Sequence, residues 1–195
     1  MNQFMKKPAL LLLTFLFTFP SVSQNNPHLF NWEIGGYGSP ELRMTTVNGD
    51  FAILMGGRGG LIINHKWVIG GGGWSVKNNL KLNQNSQNPT QLNMKYGGVF
   101  LAYIFSPDDP IHFGIDLLLG GGNVSIKEID SNREISLDRF FITEPGASVI
   151  LTVSHYVRIS LGANYRFISQ ANLENIGNSD LSGPALYGTI KFGLF

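Results

Sequence analysis

Residues 157–168 read "VRISLGANYRFI". Val157, Ile159, Leu161, Ala163, Tyr165 and Phe167 share one parity, and Arg158, Ser160, Gly162, Asn164 and Arg166 share the other. Strict alternation over twelve residues is the period of a β-strand, whose successive side chains point to opposite faces. Two environments accept such a strand. In a soluble sandwich the apolar face is the core and the polar face is solvated. In a membrane barrel the apolar face meets lipid and the polar face lines a lumen.

The rest of the chain separates these alternatives. Period-2 segments are expected near 31–46, 51–63, 67–77, 92–105, 111–126, 139–153, 157–169 and 184–195. Several run well beyond the roughly 5–6 residues typical of globular strands. They match the ~9–11 residues of a tilted membrane-crossing strand. The connections alternate in length. Asn64-His65, "SPDD" (106–109) and "SHY" (154–156) are short, whereas 78–91, 127–138 and 170–183 are longer and polar. Asn48-Gly49 closes the first hairpin with a type I′ signature. An even number of strands puts the short turns on one side and the long loops on the other, as in membrane barrels. The expected fold is all-β: an eight-stranded antiparallel up-and-down transmembrane β-barrel. A soluble lipocalin-like binder with the same strand count and an apolar interior is the competing architecture.

Residues 1–23 read as a signal peptide. Lys6 and Lys7 precede the apolar run "PALLLLTFLFTF" (8–19), and Ser21-Val22-Ser23 supplies small residues before Gln24. Residues 24–195 are then one domain. Within them no apolar run reaches the ~20 residues of a spanning helix. The chain has no cysteine, which excludes disulfides, a lipid-modified cysteine and thiolate metal sites. A formal charge of +1 gives no reason to expect nucleic acid as a partner.

Two glycine stretches, "GGRGG" (56–60) and "GGGG" (70–73), invite a phosphate-loop reading. That fingerprint requires a glycine turn opening a helix. Here apolar strand residues follow both stretches, so glycine is expected to serve barrel curvature and room for large neighbours. A two-residue turn at Asn64-His65 would set Ile63 against Lys66, Gly59 against Gly70, Gly57 against Gly72 and Gly56 against Gly73. Arg58 shares parity with Ala52, Gly56 and Gly60 and is placed in the lumen.

Assigning faces strand by strand gives a set of inward charges. The acids are Glu33, Glu41, Asp116 and Glu144; the bases are Arg43, Arg58, Lys95, Arg158, Arg166 and Lys191, with His112 near the short-turn end. An eight-stranded interior is just wide enough for side chains to fill, so a cross-braced lumen is expected and a wide pore is not. Glu41 is the preferred partner of Arg58, because the Asn48-Gly49 hairpin sets it opposite Gly56. His28, His65, His112 and His155 all map to the short-turn side. His112 and Asp116 lie four strand residues, about 13 Å, apart. No catalytic residues, cofactor or metal site are expected.

The chain resembles the small eight-stranded outer-membrane barrel proteins of the OmpA/OmpX type. The resemblance rests on the strand pattern and on the last strand, "PALYGTIKFGLF" (184–195), which finishes in Phe195. It implies the outer membrane of a Gram-negative bacterium, outer-membrane lipid as solvent, and recognition of Phe195 by the assembly machinery. The apolar set Leu186, Ile190, Phe192 and Leu194 leaves Phe195 on the opposite parity. The implied role is structural or surface interaction through loops 78–91, 127–138 and 170–183, with a narrow channel for small solutes as the alternative.

Overall fold

Alternating side chains along a strand can satisfy two solvents at once only if the sheet has two different faces, and the structure, a computed structural model, realises this in a closed wall. It describes residues 32–78, 80–81, 90–128, 134–171 and 177–195. The expected signal peptide, the distal parts of the long loops and His28 lie outside the described residues. The elements are β1 (Ile34–Val47), β2 (Asp50–Ile63), β3 (Trp67–Val76), the short β4 (Leu80–Lys81), β5 (Thr90–Phe105), β6 (Ile111–Glu128), β7 (Glu134–Ser154), β8 (Val157–Ser169), α1 (Asn178–Leu181) and β9 (Gly183–Leu194). Each long strand pairs antiparallel with the next, β9 returns to β1, and β3 pairs with β5. Eight long strands thereby close without a free edge, while β4 prolongs the wall alongside β5. Closure matters because an unpaired strand edge in hydrocarbon would leave backbone polar groups without partners.

The faces divide as β8 predicts. Arg158, Ser160, Asn164, Arg166 and Ile168 are buried, whereas Ile159, Leu161, Tyr165 and Phe167 are exposed, Leu161 by 67%. The same outward apolar set continues around the wall, including Leu42, Met55, Ile69, Leu101, Ile115, Val149 and Leu186. A contiguous apolar exterior of this extent is the surface of a transmembrane barrel. A lipocalin-like soluble protein would need a polar one.

Several local expectations are corrected. The β2–β3 connection has three residues, Asn64-His65-Lys66, with Ile63 opposite Trp67. The register therefore runs one residue away from the expected one: Gly57 faces Gly73, Gly59 faces Gly71 and Gly60 faces Gly70. Asn64 and His65 both take positive φ, and Lys66 N–H donates to the Ile63 carbonyl across the turn. The expected loop at 127–138 is shorter, because β6 runs to Glu128 and β7 begins at Glu134. Within 170–183 the chain forms α1, which the polar composition of that segment did not announce.

The glycines acquire a definite use from this register. Across the interior, Glu41, Gly56, Trp74, Tyr96, Gly122 and Phe140 form one cross-strand row. A Cβ at Gly56 would meet the Trp74 ring at 2.7 Å, and one at Gly122 would meet Tyr96 at 2.6 Å. Glycines thus alternate with rings so that large side chains fit a narrow cylinder. The next inward row places Arg58 beside Gly72, Gly98 and Gly120, a bare wall over which a long side chain can lie.

Leu161 sits on the lipid face of β8, so Leu161→Arg should lower the unfolding free energy of the bilayer-folded protein by about 2–4 kcal/mol if it lies near the midplane. Leu161→Phe should stay close to the original chain. Urea titration of vesicle-inserted protein measures both, and equal midpoints for the two variants would contradict the assignment of this face to lipid.

Candidate functional site in the barrel lumen

Inward parity on four strands brings charged side chains into one layer. Arg43 on β1 donates from Nε to Glu41 Oε1 at 2.6 Å, and from Nη1 to Glu144 Oε2 and to the Tyr96 hydroxyl, the latter at 2.8 Å. The Tyr96 hydroxyl in turn donates to Glu144 Oε1 at 2.9 Å. The other oxygen of Glu41 lies 2.9 Å from Arg58 Nε, and Arg58 Nη1 donates to Asp116 Oδ2 at 3.1 Å. Tyr187 closes the series with a 3.3 Å bond to Asp116 Oδ1. Acid and base alternate from β7 through β1 and β2 to β6 and β9. Arg43 is fully buried and Glu144 is 1% exposed. The Arg43 guanidinium also lies 3.6 Å from the centre of the Trp74 ring, a cation–π contact that helps cover a charge removed from water.

Above this layer, toward the long loops, the lumen turns apolar. Val47, Leu54, Leu92, Met94, Val124 and Ile142 are buried there with Leu181 of α1. Arg166 ties α1 into the mouth: its Nε donates to the Leu181 carbonyl at 2.8 Å and its Nη2 to the Thr46 carbonyl at 3.1 Å. Asn48 N–H donates to the Asp180 carbonyl, and Ser182 Oγ accepts from Ile168 N–H. Carbonyl oxygens therefore serve Arg166 where the other inward arginines of the ionic layer have carboxylates.

Below the ionic layer, toward the short turns, Arg158 and Lys191 stand opposite each other on β8 and β9. His112 Nδ1 lies 3.1 Å from the Asp109 carbonyl, which suits an N–H donor there and leaves Nε2, 3.5 Å from Arg158 Nη1, as acceptor. Phe195 turns inward, stacked on Tyr37 and 4.4 Å from Arg158 Cζ at its ring centre.

Two expected lumen residues are not in the lumen. Glu33 precedes β1 and is exposed; it pairs with His65 at 3.2 Å, and its backbone bonds to Asn64 in the β2–β3 turn. Its parity was inward, but the strand that would carry it inside begins one residue later. Lys95 is exposed because β5 turns Leu92, Met94, Tyr96, Phe100 and Ile104 inward. Both faces of β5 carry apolar residues, so the polar-inward rule had no purchase on it. Trp74, Tyr96 and Tyr187, which complete the network, were missed because each reads as an ordinary apolar strand residue. His155 is exposed in its turn, and His112 meets a carbonyl and Arg158, not Asp116.

Breaking a buried pair by removing one partner typically costs about 3–5 kcal/mol. Arg58→Met and Glu41→Gln should each be destabilised on that scale, and the double variant should lose clearly less than the sum of the two. Unfolding of the four proteins in detergent measures the coupling; additivity would show that Glu41 and Arg58 do not interact energetically.

No protein-family model and no curated protein sequence matches the chain. Among solved structures, Neisserial surface protein A superposes with a TM-score of 0.65 at 14% identity, over 84% of this chain and 99% of that one. The attachment invasion locus protein of Yersinia pestis matches 82% of this chain and 97% of its own at 12% identity, with a TM-score of 0.49. OprG from Pseudomonas aeruginosa matches 84% and 94% at 10% identity, with a TM-score of 0.44. At such identities the likeness is one of architecture, and the first superposition carries it: this chain has the fold of the small eight-stranded outer-membrane barrels.

Proposed function

We propose that the protein resides in the outer membrane of a Gram-negative bacterium as a non-conducting barrel, and that the connections between β3 and β5, β6 and β7, and β8 and β9, which fall within 78–91, 127–138 and 170–183, form a contact surface outside the cell. The observation that carries this reading is the filled lumen. An ionic layer crosses the barrel between the β6–β7 wall and the β1–β2 wall, and the buried apolar side chains around Leu181 lie between it and the long-loop mouth. So narrow a cylinder packed with paired charges and apolar side chains argues against solute passage. With the interior given over to bracing, the loops are the part of the chain left to meet a partner.

The partners in this reading are outer-membrane lipid around the wall and the assembly machinery during insertion, with Phe195 as the candidate recognition residue. The lumen layer of Glu41, Arg43, Arg58, Asp116 and Glu144 is assigned a structural role, replacing the hydrophobic core of a soluble protein. No reaction is assigned to any residue.

Purified protein in planar bilayers should give no resolved conductance steps, and cell fractionation should recover it with outer membranes. Protease added to intact cells should cut within 78–91 and leave the 64–66 and 106–110 turns whole. Discrete channel openings would refute the non-conducting reading. Recovery in the soluble periplasmic fraction would refute the location.

A further inference from the structure

The charges of the described lumen do not balance, and the imbalance is local. Its three acids, Glu41, Asp116 and Glu144, are all held by Arg43 and Arg58. Arg166 is served by carbonyl oxygens. Arg158 and Lys191 remain, and among the described residues neither makes an ion pair with a carboxylate. They are directly opposite neighbours on antiparallel β8 and β9, both inward. Like charges in that relation repel across a Cβ separation of roughly 5 Å. Arg158 is 6% exposed, and its Nε is buried with no hydrogen-bond partner.

Both side chains line one cavity of about 30 Å³ at the short-turn end of the lumen, together with Arg58, Asp116, Tyr187 and Phe195. The Phe195 ring covers one face of Arg158, and the centre of the Tyr37 ring lies 5.4 Å from Lys191 Nζ. Such rings soften the desolvation of a cation without cancelling its charge. His112, with its Nε2 facing Arg158, is an acceptor and also leaves the net charge unchanged. Asp116 is already engaged by Arg58 and Tyr187, and Asp108, exposed in the β5–β6 turn, attracts Arg158 only from beyond ion-pair distance. Water can fill such a cavity, but it cannot neutralise a buried cation and a half-buried one beside it.

We infer that this cavity binds a small inorganic monovalent anion, of halide or nitrate size, between the Arg158 guanidinium and the Lys191 ammonium. The volume sets the class. A space of about 30 Å³ holds two or three water-sized spheres, which suits a halide and leaves out a phosphate monoester or a lipid headgroup. The anion cancels the repulsion between β8 and β9 and supplies the buried Arg158 Nε–H with an acceptor. It is a resident counter-ion of the barrel, separate from any role of the outer loops.

Bromide is the probe. The full chain, folded in detergent, would be crystallised in sodium bromide and its urea unfolding followed in sodium bromide and in sodium gluconate at equal ionic strength. An anomalous peak between Arg158 and Lys191, with a saturable rise of the unfolding midpoint in bromide, is the expected result. Lys191→Met should fold at least as well as the original chain in gluconate, since it removes the repulsion, and should need at least tenfold more bromide for half its stabilisation. Lys77→Met, on the exposed side, should respond to bromide like the original chain. Coincident midpoints in the two salts, as a neutral Lys191 would produce, would overturn the proposal. So would unchanged bromide dependence in Lys191→Met, or an anomalous map with no peak between the two cations.

Discussion

Closure of β3 against β5 is the constraint on which everything else in this structure depends. In hydrocarbon each backbone N–H and C=O needs an internal partner, and a sheet meets that demand only by leaving no edge. Eight strands are few, so the cylinder is narrow and its inside must be packed with side chains. From these two facts follow the strand length, the lipid-facing apolar wall and the density of glycine in β2, β3, β5 and β6. Rings from Trp74, Tyr96 and Phe140 occupy the interior because Gly56 and Gly122 yield the space.

The lumen is not a uniform polar core. It is layered: an apolar zone under α1, an alternating chain of acids and bases in the middle, and a cation-rich cavity toward the short turns. Moving charges out of water is expensive, and a buried ion pair often adds little net stability over an apolar pair of the same shape. What the middle layer contributes is mutual dependence. Arg43 bonds at once to Glu41, Glu144 and Tyr96, so β1, β5 and β7 must reach their correct relative heights together. A slip of one residue in any of these strands would turn its inward polar group toward lipid.

Arg166 solves the same electrostatic problem by other means. Its donors go to the carbonyl oxygens of Leu181 and Thr46, and in doing so they hold the loop that carries Leu181. A charge that would be a liability in the apolar outer layer becomes the clamp for the segment that covers it. Among the described residues the short-turn end has no such loop, and there Arg158 and Lys191 are left without a paired carboxylate.

The amino-acid sequence alone determined the strand period, the strand count, the closed barrel and the inward course of β8, because a lipid-facing strand with a polar inner face leaves an unbroken alternation. It also placed Glu41, Arg58 and Asp116 inside, since the long apolar residues nearest each have the opposite parity. Only the tertiary structure decided β5, whose two faces are both apolar; the packing of Leu92, Met94 and Tyr96 into the outer lumen sent Lys95 outward. Glu33 stayed outside because strand pairing begins one residue after it, a boundary that parity does not mark. The three-residue turn at 64–66 shifted the glycine register through the positive φ of Asn64 and His65. α1 is held by Arg166 and by the backbone of the β1–β2 turn, and those are contacts across the mouth of the barrel which no local pattern encodes.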